Sequence, residues 1–378
     1  MIYFDNAATT YPKPEEVYVE MDKINRELAI NAGRGSYRAA QQANKLIEET
    51  RGRIRQLVKA DVINEVVFAP SITIALNQVI LGINWEKGDI VYVSPFEHNA
   101  VARTLQLVQK RIDIVIKELE MKEDSFELDI EKIKYQFARM NPKAVFCTGV
   151  SNVTGYILPI KEIFEESKKY SAINVLDSAQ SLGLIELDSR NIKVDIIAFA
   201  GHKTLYGPFG VGGFINMGSV PLNIVIAGGT GSDSLNLDMA DEGYGRFEAS
   251  SKNIIAIGGL NKAIEVLNIE ENYKHEKMLT DYILDRLEPQ NKIITYSKMS
   301  RDNQIGIVSF NIKGLQSEDV GMILDEDFDI AVRTGYHCAP FIHKYLRDEE
   351  YLGTVRIGIG RFNTVEQVDK LLEAVKEI

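Results

Sequence analysis

The chain has 378 residues, 45% of them hydrophobic, and its 43 basic and 54 acidic side chains give a formal charge of -11. This length and composition allow two domains with filled cores and exclude a disordered or fibrous protein. The acidic balance argues against nonspecific binding to nucleic acid or to an anionic membrane. Cys147 and Cys338 have no metal-ligand or disulfide-framework spacing, and no signal peptide or membrane-spanning run is recognisable, so we expect a cytoplasmic protein.

Short β-rich runs alternate with amphipathic helical stretches through the middle of the chain. Strands are predicted at 65–69, 90–93, 112–116, 144–147, 173–177, 195–200 and 213–216, and helices at 71–84, 98–110, 160–171 and before 144. Alternation of this kind predicts an α/β fold, in which helices cover both faces of a mostly parallel sheet of about seven strands.

The pattern changes towards the C-terminus. A long helical pattern covers 257–287, followed by a strand within 304–312, a helix near 317–324 and a closing helix from Thr364. The segment 228–245 is rich in Gly, Ser and Asp, which predicts a long loop. We therefore predict a large α/β domain over 15–255 and a small α+β domain formed by 1–14 and 256–378.

A lysine and a glycine-rich turn follow the predicted strand 195–200. Lys203 at the mouth of this strand could have the lowered pKa that a Schiff-base nucleophile needs, although a snorkelling surface lysine explains the pattern as well. The glycines of 207–213 have neither a phosphate-loop ending nor dinucleotide spacing, so they predict only a tight turn.

Other polar side chains follow neighbouring strands, at the sheet edge where ligands bind in α/β proteins. Asp177 closes strand 173–177 and Gln180 follows it. An aspartate at the end of this strand can keep a pyridinium nitrogen protonated or simply cap the next turn. Asn152 follows strand 144–147, where it is either a site residue or a turn former.

Two helix starts carry further candidates. His98 follows strand 90–93, where its ring could stack on an aromatic cofactor or serve as a cap. Ser71 and Thr73 open the helix 71–84, where free N–H groups and hydroxyls form either an anion site or an ordinary cap.

The C-terminal part contributes a thiol and an arginine. Cys338 lies outside any apolar run and near Arg333 and His337, a context that favours a reactive thiolate over a structural cysteine. Arg356 lies within an apolar strand, where a buried guanidinium needs a carboxylate partner from the protein or from a substrate.

Ten ordered segments extend over nearly the whole chain: YFDNAATTYPKP, NAGRGSYRAA, EHNA, SNVTG, DSAQ, GHKTLYGPFGVGG, GGTGS, GRFEAS, RTGYHCAP and TVRIGIGRFNT. Together they resemble the class V aminotransferase family of pyridoxal 5'-phosphate (PLP) enzymes, and within it the cysteine desulfurase and selenocysteine lyase branch. The RTGYHCAP segment is similar to that of the group with a compact cysteine loop. The resemblance implies the fold type I of PLP-dependent transferases, with a large domain and a smaller C-terminal domain.

The resemblance also implies a role for each candidate. Lys203 would form the Schiff base with PLP, Asp177 would pair with the pyridinium nitrogen, and His98 would stack on the ring and shuttle protons. By the same resemblance, Gln180 would contact the ring hydroxyl, and Asn152 and Arg356 would bind the substrate carboxylate. Thr73 and His202 would bind the phosphate. Ser251 would contribute a hydroxyl to the site of the neighbouring subunit in a homodimer. Cys338 matches the nucleophile that forms the persulfide.

Several positions depart from the family pattern. Ala200 stands where a serine or threonine is usual, Ser250-Ser251-Lys252 replaces Gly-Thr-Pro, and Ile72 and Ile74 occupy positions often filled by small or acidic residues. These changes predict weaker retention of PLP. None of them removes the lysine, aspartate, histidine or cysteine.

The sequence therefore predicts a PLP-dependent cysteine desulfurase that converts L-cysteine to L-alanine and passes sulfur through Cys338 to an acceptor protein or thiol. Selenocysteine lyase, a class V aminotransferase and a catalytically silent PLP-binding subunit are the alternatives. A PLP-free thiol protein is a weaker one.

Overall fold

The computed structural model describes residues 1–32, 35, 37–123, 125–218, 220–230 and 235–378. Parts of the NAGRGSYRAA and GGTGS segments therefore lie outside the described residues, namely Gly33, Arg34, Ser36, Gly231 and Ser232.

Strands and helices alternate along most of the chain. The strands are β1 (Ile2–Tyr3), β2 (Glu65–Ala69), β3 (Ile90–Val93), β4 (Val115–Glu118), β5 (Ala144–Thr148), β6 (Ile173–Asp177), β7 (Ile196–Ala200), β8 (Gly212–Asn216), β9 (Ile293–Thr295), β10 (Ile307–Ile312), β11 (Ile330–Ala331), β12 (Arg333–Gly335) and β13 (Thr354–Gly358). The helices are α1 (Glu15–Glu27), α2 (Arg38–Leu57), α3 (Ile72–Gly82), α4 (Asn99–Ile112), α5 (Ile130–Arg139), α6 (Ile160–Lys168), α7 (Ile254–Glu265), α8 (Ile269–Leu287), α9 (Ser317–Phe328), α10 (His343–Leu346) and α11 (Val365–Glu377).

Among the described residues, seven strands form one sheet in the order β2-β8-β7-β6-β5-β3-β4. The neighbours from β7 to β4 are parallel, and β8 is antiparallel to both β7 and β2. This arrangement confirms the predicted α/β fold with a mostly parallel sheet. A second sheet, β12-β13-β10-β9, is antiparallel throughout, and β1 pairs with β11.

Two predicted elements differ from the structure. The strand predicted at 112–116 lies at Val115–Glu118, because α4 continues to Ile112 and Asp113 then ends it in the left-handed conformation, with φ of 65°. The single helical pattern over 257–287 is two helices, α7 and α8, because Asn268 accepts a hydrogen bond from the N–H of Glu271 and so begins a new helix. The described part of 228–245 has no helix or strand before a short 3-10 turn at Tyr244–Arg246, as a loop prediction requires.

Three hydrophobic cores account for most of the packing. Along β2, Val66 and Phe68 contribute to one core and Val67 and Ala69 to another, since successive strand residues point to opposite faces of the sheet. The third core lies between the second sheet and helices α8, α9 and α11. The domain division at residue 255 stays a prediction, and α7, which begins at Ile254, packs into the first core through Ile257 and Leu260. Within the described residues, none of the helices combines the length and the apolar character that crossing a bilayer requires.

A buried tyrosine and a buried carboxyl link the segment after β7 to α8. The Tyr206 hydroxyl donates to Glu276 Oε1 at 3.4 Å and accepts from the Arg361 N–H at 2.6 Å. The Tyr206 N–H donates to the carbonyl of Lys203 at 2.7 Å, so this contact supports the turn that carries the lysine. Burial raises the pKa of Glu276 from 4.5 to about 8.

Glu276→Gln is expected to flatten the dependence of stability on pH. Because folding raises the pKa of Glu276, its contribution to stability is fully present below about pH 4.5 and is lost as the pH rises through about 8. Between these values the free energy of unfolding of the wild type should fall about 1.4 kcal/mol per pH unit more steeply than that of Glu276→Gln. Urea unfolding at several pH values measures both slopes. Glu270→Gln, an exposed change on the same helix, is the control, and equal slopes for wild type and Glu276→Gln would contradict the assignment.

Candidate active site

The register of the large sheet places the functional side chains at one edge. Thr148 pairs with Asp177, and Asp177 pairs with Ala198, so strands β5, β6 and β7 end at nearly the same level. Asp177 is the last residue of β6, and the segments that follow β3, β5 and β7 carry His98, Asn152 and Lys203 respectively. Electrostatic coupling of Lys203 with Asp177 and of His98 with Lys203 shows that the structure brings these predicted residues together.

The amine of Lys203 is less basic than that of an ordinary lysine. Burial is the main cause that lowers its pKa to about 8, and the cations Arg356 and Arg333 lower it further, while Asp177 and Cys338 act in the opposite direction. Lys203 is half-buried, and the coupling of its amine to Asp177 and Arg356 favours a position at the sheet edge over the snorkelling alternative. An amine with this pKa is partly unprotonated near neutral pH and can act as a nucleophile or a base.

The N-terminal segment fixes the backbone beside this lysine. The carbonyl oxygen of His202 accepts from Thr9 Oγ1 at 2.9 Å, from Lys13 Nζ at 2.8 Å, and from the N–H and hydroxyl of Thr10 at 3.2 and 3.3 Å. Burial lowers the pKa of Lys13 to about 7. Sequence reasoning named no residue of this segment as part of the site, although the YFDNAATTYPKP motif contains all three donors.

Asp177 lies in a buried polar region. Burial raises its pKa, whereas the Ala179 N–H, which donates to Oδ1 at 2.9 Å, and the charge of Lys203 lower it. Gln180 donates from Nε2 to the carbonyl of Ala7 at 2.7 Å. Sequence reasoning missed Glu97, which accepts from the Thr148 N–H at 2.6 Å and whose pKa is raised to about 8 by burial and by the charge of Asp177.

His98 caps a helix, and its ring is coupled electrostatically to Lys203. Its Nδ1 accepts from the N–H of Ala100 at 3.0 Å at the start of α4. Burial and the charge of Lys203 lower its pKa to about 4. The ring is therefore neutral near pH 7, with its proton on Nε2.

Arg356 has the carboxylate partner that a buried arginine needs. One guanidinium nitrogen donates to Asp5 Oδ1 at 2.7 Å and another to the carbonyl of Asn152 at 2.9 Å. The Nε atom is buried and has no hydrogen-bond partner among the described residues. Asp5 was not predicted, and the only signal for it was its place in the N-terminal motif.

Three consecutive carbonyl groups fix the loop that carries Cys338. His343 Nε2 lies 2.9 Å from the carbonyl of Tyr336, Asn152 Nδ2 donates to that of His337 at 2.7 Å, and the Asn99 N–H donates to that of Cys338 at 2.7 Å. His337 and Cys338 both adopt the left-handed conformation, with φ of 47° and 58°. Arg333 lies 3.5 Å from the half-buried Sγ of Cys338, so the thiol faces a cation as predicted.

The remaining predicted residues lie at the margins. Thr73 is exposed in the first turn of α3, where Ser71 accepts from the N–H of Ile74 as a cap. The ring of His202 stacks on Phe209 at 4.6 Å, and its pKa is lowered to about 3, mainly by burial. Ser251 is exposed in the loop before α7, where it lines a surface cavity of 420 Å³ with Gly229 and Thr230.

The family model for Aminotransferase class-V matches residues 2–371, and the chain belongs to this family. A probable cysteine desulfurase from Pyrococcus abyssi is 33% identical over 391 residues, which cover 100% of this chain and 94% of the relative. A probable cysteine desulfurase from Methanothermobacter thermautotrophicus is 32% identical over 390 residues, with 100% and 94% covered. The apo structure of a cysteine desulfurase from Thermococcus onnurineus NA1 superposes with a TM-score of 0.89 at 30% identity, covering 100% of this chain and 94% of that one. The predicted family and fold are confirmed.

The neutral state of His98 can be tested by nitrogen NMR. Since its pKa is about 4, we expect the ring to stay in the Nε2–H form between about pH 5.5 and 8. Histidine labelled with nitrogen-15 gives the protonation state of each ring nitrogen, and His98→Gln assigns the signal. Two protonated ring nitrogens on His98 at pH 6 would contradict the electrostatic description of the site.

Proposed function

We propose that this chain is a PLP-dependent cysteine desulfurase, in which Cys338 receives the sulfur of L-cysteine. The observation that carries the proposal is the fixed loop that holds Cys338 beside Arg333 and in electrostatic contact with the buried amine of Lys203. The names of the full-length relatives support the same activity.

The residues at the sheet edge fit PLP. Lys203 supplies an amine of lowered pKa for the aldehyde, Asp177 an anion for the ring nitrogen, and His98 a neutral ring for stacking. His202 Nδ1 is buried without a partner among the described residues, so it has a hydrogen-bonding position left for the phosphate. Gln180, Asn152 and Thr73 complete the proposed set. When bound, PLP would supply an electron sink that stabilises negative charge at Cα of the substrate.

The protein groups divide the acid–base work by their pKa values. The amine of Lys203, with a pKa of about 8, can take the proton from Cα of the substrate and return it. The neutral ring of His98 can donate from Nε2 to the substrate, and in the proposed proton shuttle a second proton on Nδ1 would replace the hydrogen bond from the Ala100 N–H. Arg356 and Asn152 would hold the substrate carboxylate. The guanidinium of Arg356 would then donate to the substrate carboxylate and to Asp5 at the same time.

Sulfur transfer then balances without an added oxidant. The thiolate of Cys338 attacks the substrate sulfur, an S–S bond forms, and the bond between Cβ and sulfur breaks with its electron pair left on carbon. Protonation of the carbon atoms gives alanine, which is reduced by two electrons relative to cysteine, and Cys338 is oxidised to the persulfide by the same two electrons. Arg333 lies 3.5 Å from Sγ and would orient the sulfur for attack.

A second copy of the chain completes the proposed site. Ser251 is exposed and lines a surface cavity together with Gly229 and Thr230, rather than joining Lys203 and Asp177. Leu235 and Leu237, in the neighbouring loop, are 98% and 100% exposed, and large exposed apolar side chains of this kind favour burial against a partner. We therefore propose a homodimer in which Ser251 reaches the phosphate site of the other copy, and an acceptor protein or thiol that takes the persulfide sulfur.

The cysteine reaction is tested by product release. Purified protein with L-cysteine and a reductant should release alanine and sulfide in equal amounts, and Cys338→Ala should abolish both products. Cys147→Ala is the matched control, since Cys147 is buried in the core and should leave the activity unchanged. A Cys338→Ala variant with wild-type turnover of cysteine would exclude the persulfide route. Activity of that variant on selenocysteine alone would favour the lyase, and consumption of pyruvate or glyoxylate would favour an aminotransferase.

The assignment of Lys203 is tested by cofactor absorbance. Wild-type protein incubated with PLP should show the visible band of a protonated imine, and reduction with borohydride should attach the cofactor to the peptide that contains Lys203. Lys203→Arg should lose both signals, because the guanidinium stays protonated and cannot form the imine. Lys13→Arg is the control, since Lys13 is also partly buried but bonds to backbone and hydroxyl oxygens. Retention of the band in Lys203→Arg would refute the assignment.

A further inference from the structure

His343 and Asp348 form a buried pair beside the cysteine loop. His343 opens the short helix α10 and is 5% exposed, and Asp348 is 0% exposed in the turn that leads to β13. His343 Nδ1 lies 2.6 Å from Asp348 Oδ2, and His343 Nε2 lies 2.9 Å from the carbonyl oxygen of Tyr336. The imidazole therefore bridges the base of the cysteine loop and the turn before β13.

The chemistry of the partners fixes the number of protons. A carbonyl oxygen can only accept, so Nε2 of His343 carries a proton and donates it to Tyr336. A second proton lies between Nδ1 and Asp348 Oδ2, because a hydrogen bond at that distance needs one. The pair therefore holds two protons, and its hydrogen bond to the carbonyl of Tyr336 is charge-assisted when the carboxylate is ionised.

Other groups around the pair set its orientation. The ring of Tyr336 meets that of His343 edge-on, with centroids 4.9 Å apart, and the ring of His337 lies 6.4 Å away. The carbonyl of Asp348 accepts from the N–H groups of Tyr351 and Gly353, so the carboxyl is anchored in a closed turn. Strand β13 starts directly after this turn and carries Arg356, the proposed carboxylate-binding arginine. The pair of His343 and Asp348 therefore links the cysteine loop to β13.

We propose that His343, oriented by Asp348, is a positioning residue that fixes Cys338 for attack on the substrate sulfur. Two consecutive residues in the left-handed conformation, His337 and Cys338, precede Ala339, and such a backbone persists only where its surroundings hold it. Asn152 and Asn99 donate to the carbonyls of His337 and Cys338 respectively. His343 donates to the carbonyl of Tyr336, which precedes them. This inference rests on the proposed desulfurase activity.

The kinetic test separates positioning from binding. His343→Ala should lower kcat for alanine formation by about 10- to 100-fold, as expected when a nucleophile is displaced by about 1 Å, while KM for cysteine and the cofactor absorbance stay within about twofold. Asp348→Ala should show the same loss. Asp348→Asn should keep kcat within about threefold, because its amide can donate to Nδ1 while neutral His343 still donates from Nε2.

The matched control is His275→Ala. His275 is half-buried on α8, and its Nε2 lies 2.8 Å from the backbone carbonyl of Asn363, a similar contact remote from the cysteine loop. Its removal should leave kcat unchanged. The positioning role is overturned if His343→Ala keeps wild-type kcat. It is also overturned if kcat falls only together with the cofactor absorbance and the thermal midpoint, or if Asp348→Asn loses as much activity as Asp348→Ala.

Hydrogen exchange tests the inference independently of the reaction. In His343→Ala, the peptides that contain residues 335–340 and Asn99 should exchange hydrogen faster than in wild type. In Asp348→Asn and His275→Ala, the same peptides should exchange at the wild-type rate. Unchanged exchange in His343→Ala would overturn the positioning role even if the wild type is a desulfurase. Faster exchange together with a wild type that makes no alanine would instead reject the proposed function and leave the structural link established.

Discussion

Burial of a lysine against an aspartate at the carboxyl edge of a parallel sheet is the interaction on which the site depends. Desolvation alone would make Lys203 a weak base and Asp177 a weak acid, and each charge partly restores the ionised form of the other. The result is an amine with a pKa of about 8 on a half-buried lysine. The register of β5, β6 and β7 provides this arrangement, since it ends the three strands at one level.

Hydrogen bonds connect the surroundings of Lys203 and Asp177 to distant parts of the chain. The N-terminal segment donates to the carbonyl of His202, and Tyr206 joins the lysine turn to Glu276 on α8. The cysteine loop is held from α10, α4 and the turn after β5, so the thiol is fixed relative to the same sheet edge. Hydrogen bonds of Asn152 thus join the cysteine loop to Arg356, and the charges of Cys338 and Arg356 act on the amine of Lys203.

Much of this site could be predicted from the sequence, because its polar residues lie at or after the ends of predicted strands. Lys203, Asp177 and His98 each follow a short apolar run, and parallel strands bring such positions together without any knowledge of side-chain packing. The seven-stranded sheet followed from the alternation of strands and helices, and the resemblance of the motifs identified the family. The two helices α1 and α2 near the N-terminus were not predicted.

Most features of the site that the sequence did not predict depend on contacts between residues far apart in the chain. Asp5 and Arg356 are 351 positions apart, and no local pattern predicts their ion pair. Glu97 and Glu276 look like surface residues in the sequence, and only their burial reveals raised pKa values. Strand boundaries also moved where a single residue such as Asp113 ended a helix, because a left-handed conformation leaves little mark on hydrophobic periodicity.

The measurement that tests the central claim most directly is a single turnover of cysteine labelled with sulfur-35, stopped by acid and followed by peptide mass spectrometry. We predict one labelled sulfur atom on the peptide that contains Cys338 for each alanine formed, and no label on the peptide that contains Cys147. Alanine formed without label on the Cys338 peptide would contradict this claim.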